Sequence, residues 1–213
     1  MADGHTDTDW SHEERRTLEA LDSPRRIQEF LDAIPYSTEP VYRCPRSVLR
    51  DRRAHCFDGA VLAAAALERL GHPPLLLDLR AVRDDDHVIA LFQRDGHWGA
   101  VAKSNCAGLR FREPVYRTLR ELALSYFEFY FNVESEKTLR SYSPPVDLNR
   151  RAAAGWRFDD AVMADIADRL NAARHYPLFT PAMIDALEPV DVRTYAAGLL
   201  GADDAGLFKP EPR

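Results

Sequence analysis

The chain has 213 residues, 46% of them hydrophobic and 29% charged, and a net charge of −6. This is ordinary globular composition, sufficient for one sizeable core. No apolar run approaches the ~20 residues that span a bilayer, and the polar, acidic start M-A-D-G-H-T-D-T-D is unlike a secretory signal, so a cytoplasmic protein with no membrane partner is expected.

Residues 1–10 are expected to be disordered. Ser11 precedes a helical pattern to about Leu21, with Glu13 and Glu14 in its first turn. Ser23-Pro24 reads as an N-cap followed by proline at the first helical position, opening a second helix to about Ile34. Three prolines across residues 35–45 mark an irregular connection, and Pro45 to about Arg53 reads as a short helix. From Cys56 to Leu70 the pattern is apolar on almost every side, so this helix should be buried. Gly71 is its natural C′ residue, and two prolines at 73–74 stop it. Leu75–Leu79, His87–Gln93 and Trp98–Lys103 read as strands, and Asp95-Gly96 signals a hairpin between the last two. Pro114 to about Phe131 reads as one amphipathic helix. Beyond Ser143-Pro144-Pro145, helices are expected over Phe158–Leu170, Pro181–Leu187 and Val190–Leu200, with a loose tail after Gly201. The pattern is α+β: a domain over 11–145 and a helical C-terminal extension over 146–213.

Charge is uneven. Residues 43–120 hold 14 Lys and Arg against 9 Asp and Glu, and Arg43, Arg46, Arg50, Arg52 and Arg53 crowd the stretch before Cys56. Such a field could favour a thiolate or an anionic substrate group, and Arg52, Arg53 and Trp98 are candidate substrate contacts. Nucleic acid is not an expected partner, because the chain has no aromatic-interleaved basic module and no zinc-finger spacing. Cys44, Cys56 and Cys106 cannot all pair, and they read as free thiols. With no CxxC pair no metal site is expected, and with neither GxGxxG nor GxxxxGK[ST] no nucleotide cofactor is expected.

The informative stretch is R-R-A-H-C56-F-D-G-A-V-L-A-A-A-A-L, with D-D-D-H87-V-I-A-L-F opening a strand 31 residues after the cysteine. A thiol at a helix start meets free N–H groups and the positive end of the macrodipole. A histidine on a neighbouring strand could exchange its proton. Cys at a buried helix N-terminus, followed by His and a polar residue on successive antiparallel strands, resembles the transglutaminase-like branch of the papain-type cysteine enzymes over about residues 40–105. The resemblance implies a buried helix packed on a small antiparallel sheet, with Cys56 as nucleophile and His87 as general base. It also implies acyl transfer or hydrolysis on an amide- or peptide-bearing substrate. The family's Asp on the strand after His is missing, since no Asp lies between Trp98 and Gly108. A two-residue Asp-Gly turn would bring Ser104 opposite His87, and a three-residue loop would bring Asn105 there. Asp-Gly favours Ser104, while Asn105 would complete a Cys-His-Asn arrangement. A binding module on the same scaffold, without catalysis, is the alternative.

Overall fold

The computed structural model describes residues 9–151 and 155–211. Four helices lead the chain: α1 (His12–Ala20), α2 (Pro24–Ala33), α3 (Pro45–Asp51) and α4 (Cys56–Arg69). Ser11 and Glu14 form a reciprocal capping box at α1, and the Ser23 hydroxyl caps α2 ahead of Pro24. Arg52 ends α3 in the left-handed region, at φ 53°. At the end of α4, Gly71 takes φ 89° and its N–H bonds the Glu68 carbonyl.

Strands β1 (Leu75–Ala81), β2 (His87–Arg94) and β3 (His97–Val101) follow, then β4 (Arg112–Tyr116), α5 (Leu119–Leu124), β5 (Leu139–Tyr142) and β6 (Val146–Asp147). The chain continues through α6 (Leu148–Arg151), α7 (Met163–Ala172), β7 (Tyr176–Pro177), α8 (Pro181–Asp185) and α9 (Val192–Gly198). The sheet is antiparallel in the order β4-β3-β2-β1-β5-β7, with β6 also paired to β1. Asp95 and Gly96 both take positive φ, 51° and 75°, as a two-residue primed turn requires. Arg94 therefore faces His97 and Gln93 faces Trp98, the even register expected from Asp-Gly.

Side chains alternate between the faces of the sheet with period two. Leu76, Val88, Ala90 and Phe92 join the cluster built on α4, whose Ala60 to Ala64 are fully buried. Leu77, Leu79, Ile89 and Leu91 face the other way, onto Leu122, Tyr126 and Tyr130. The α+β core of a buried helix packed on an antiparallel sheet is present as expected.

Four local expectations need correction. The segment from Pro114 is not one helix: residues through Tyr116 belong to β4, Thr118 caps the short α5, and residues 127–129 form a 3₁₀ turn. Pro114 is tolerated because β4 is an edge strand, where no partner needs its missing N–H. Trp10 is buried against Phe158 rather than loose; residues 1–8 of the expected disordered start lie outside the described residues. The third strand stops at Val101, short of Lys103. The tail after Gly201 is ordered into a 3₁₀ turn at Asp204–Gly206. β6 and β7 pair with the sheet, and Trp156, Met163, Ile166 and Leu170 join the α4 cluster.

Candidate functional site

Cys56 is the first residue of α4 and borders a cleft of about 530 Å³. A parallel bridge between Tyr36 and Ala54 fixes the entry to the helix and brings Tyr36 beside the thiol. The Cys56 Sγ lies over the start of β2, where it donates to the Asp86 carbonyl at 3.8 Å. Burial pushes the thiol pKa up to about 12; the N–H groups of Val88 and Phe57 pull the other way and lose. Burial thus outweighs the helix-start N–H groups at this thiol. Burial also pushes the Tyr36 phenol up, with Cys56, Asp85 and Cys106 adding to the effect and the Cys56 N–H opposing it.

His87 opens β2 but lies on the face opposite α4. Its ring meets Tyr126 and Tyr130 edge-on, with centroids 6.4 and 6.5 Å away. Nε2 donates to the Leu109 carbonyl at 2.8 Å, which fixes the Nε2–H tautomer. Burial pushes its pKa down to about 4, against the Leu109 carbonyl, which favours the charged form. The next residue, Val88, packs on the α4 side instead, and strand parity is the whole reason. The Cys56 thiol bonds the Asp86 carbonyl and the His87 imidazole bonds the Leu109 carbonyl; among the described residues the two side chains are not bonded to each other. Both residues nevertheless border a second, smaller cavity of about 70 Å³.

Ser104 and Asn105 also border that cavity, and neither bonds the imidazole. The ladder between β2 and β3 ends at Ala90 opposite Val101, so the register that would set Ser104 against His87 does not run that far. The Ser104 hydroxyl accepts from the Cys106 N–H, and the Asn105 side chain is bonded to Asp203.

The basic stretch does not line the cleft. Arg43 is buried among Glu39, Asp51 at 3.2 Å and Asp58 at 3.7 Å. Arg50 pairs with Asp51, and Arg53 with Glu39. Arg46 lies over Phe158, and Arg52 over Phe30. Trp98 packs with the Tyr126 cluster. Arg52, Arg53 and Trp98 are thus absent from the walls of both cavities around Cys56. The wall of the larger cleft carries Glu39, Asp78, Asp85 and Asp86, with no Lys or Arg among its described lining residues.

Sequence reasoning passed over three features near Cys56. Asp78, fully buried on β1, reaches this cleft and is held by His175 Nε2 at 2.8 Å from 97 residues away. Burial pushes the Asp78 carboxyl up and Asp86 adds to that, while His175 pulls it down. Tyr36 follows Pro35 with no pattern to single it out. Residues 206–208 border both cavities.

No family model and no curated protein matches the chain. Among solved structures, LapG of Legionella pneumophila is similar at 15% identity and a TM-score of 0.34, over 45% of this chain and 67% of that one. Its EGTA-treated and calcium-bound forms are similar at 15% identity and TM-scores of 0.33, over 46% of this chain and 65% and 67% of theirs. The shared part is thus about two thirds of those chains, and a likeness of that degree assigns no activity. Among the described residues, no helix is long and apolar enough to cross a membrane, and no group of three or more His, Cys, Asp or Glu could hold a metal ion.

Proposed function

We propose that this chain is a transglutaminase-like domain that binds an amide- or peptide-bearing ligand in the Cys56 cleft, without using Cys56 as an ionised nucleophile. The parity of β2 supports this: His87 faces Tyr126 and Tyr130 while Val88 faces α4. Acyl transfer needs a thiol whose proton has somewhere to go. Here burial pushes the thiol pKa up to about 12, and the imidazole's Nε2 is engaged by Leu109. The acidic wall favours a neutral or cationic group over the anionic one expected from the arginines.

One observation favours a second reading, in which the domain is a cysteine acyltransferase or amidase. Cys56 and His87 border the same 70 Å³ cavity, so a turn of the imidazole away from Leu109 would carry it toward the thiol. An activated ester separates the two. With p-nitrophenyl acetate at neutral pH, the binding domain should give no acetyl adduct on Cys56 by intact mass, and Cys56→Ala should release p-nitrophenol at the same rate. A rapid acetyl adduct that disappears in both Cys56→Ala and His87→Gln contradicts the binding reading.

A further inference from the structure

Resting on that binding reading, we propose that the groove between Tyr36 and Asn105, beside Cys56, is a polypeptide-backbone site, and that the chain's own residues 203–208 fill it in cis. The Asn105 amide donates to the Asp203 carbonyl at 2.8 Å, and its oxygen accepts the Asp203 N–H at 2.8 Å. One side chain thus takes both backbone groups of one residue. That pairing reads the main chain and is indifferent to the side chain. The Asp203 carboxylate then accepts from the Ala205 N–H, which turns the segment inward.

Gly206 passes so close to the wall that a Cβ there would lie 2.9 Å from Tyr36 Cδ1 and 3.0 Å from Asn105 Nδ2. The site therefore demands a glycine three residues after the one Asn105 holds. Leu207 and Phe208 follow, half-buried, and with Gly206 they border both the 530 Å³ cleft and the 70 Å³ cavity. The segment therefore shares both cavities with Cys56. Its hold is light. Asp203, Asp204 and Ala205 are exposed, Leu200 just before them is 80% exposed, and further along Arg83 bonds the Glu211 carbonyl. Segments with so few buried contacts open at low cost. The ligand class that could take its place is a polypeptide carrying a Gly-apolar-aromatic run.

Two variants of the full chain test this. Gly206→Val should expel the segment and leave the groove intact; Asn105→Ala should release the segment and spoil the groove. Both should raise the rate of Cys56 alkylation by iodoacetamide at least tenfold. A fluorescein-labelled peptide of residues 201–211, G-A-D-D-A-G-L-F-K-P-E, should bind saturably to Gly206→Val. It should bind at least tenfold more weakly to the wild type and to Asn105→Ala. Unchanged alkylation in both variants overturns the proposal, and so does peptide binding that is equal in all three proteins. The underlying binding reading is judged apart, by the pH of half-maximal alkylation in the opened variants. A value well below the ordinary thiol value of 9.0 defeats that reading whatever the peptide does.

Discussion

Burial holds the two imidazoles nearest the site neutral: His55 and His87 are each pushed down to about 4. Their folded pKa values lie below the ordinary 6.5, so the stability linked to them is present above about pH 6.5 and lost as pH falls toward 4. For His87 that amounts to about 3 kcal/mol as an upper figure. Asp58 works in the opposite sense. Burial pushes its carboxyl up to about 7, so its contribution is present at low pH and lost as pH rises through 7. His87→Gln should therefore lose less of its stability than the wild type between pH 6.5 and pH 4, as read by urea unfolding across that range. An identical acid limb would mean that His87 is not held neutral. The position of Cys56 at a helix start was legible in the sequence, because Gly71 and the apolar run bracket the helix. The side taken by His87 was not. The run H-V-I-A-L-F is apolar at every position after the histidine, and a strand buried on both faces carries no alternation from which to read parity.

At the scale of elements, α4 is locked to the end of α2 through one buried lysine. Lys103 Nζ donates to the carbonyls of Leu31 and Ile34 at 2.8 and 2.6 Å, satisfying the last turn of α2. Its stem crosses Gly59, where an added Cβ would lie 2.3 Å from Lys103 Cβ. Gly59→Ala gains about 1 kcal/mol in helix propensity. The clash is with the root of a side chain that cannot swing aside, so a net loss of about 2 kcal/mol is expected. Lys103→Met should cost about 2 kcal/mol through the orphaned carbonyls. Denaturant unfolding measures both, and a stabilised Gly59→Ala would show that the approach is looser than it looks. The hairpin from β2 to β3 was legible because Asp-Gly names its own turn. The stretch from Pro114 to Phe131 reads as one helix because Val115 and Tyr126 fall by coincidence on the spacing of Leu119 and Leu122, which do belong to α5. Pairing of Trp98 with Tyr116, a tertiary contact, overrides that local pattern.

Across the whole molecule, the segments after residue 146 close the sheet and shape the cleft. β6 and β7 are two residues long and show no periodicity, so no sequence pattern could announce them. The pair of His175 and Asp78 joins the same distant parts. Folded Asp78 lies above its ordinary pKa, so its contribution is lost as pH rises, and His175 limits the loss. His175→Ala should therefore lower the melting temperature more at pH 8 than at pH 5; equal losses would show that the pair is not electrostatic. The charge of the cleft was equally hidden. The arginines before Cys56 suggested a basic site, but Glu39, Asp51 and Asp58 pair with Arg43, Arg50 and Arg53, Arg46 pairs with Glu14 and Arg52 lies over Phe30, while the wall carries Glu39 with acids from β1 and the turn before β2. The most direct measurement is the pH profile of Cys56 alkylation in the wild type and in His87→Gln, read peptide by peptide against Cys44 and Cys106. A neutral thiol that His87 does not bond predicts superimposable profiles that still rise above pH 9. A profile half-maximal near neutral pH in the wild type, displaced upward in His87→Gln, would contradict it.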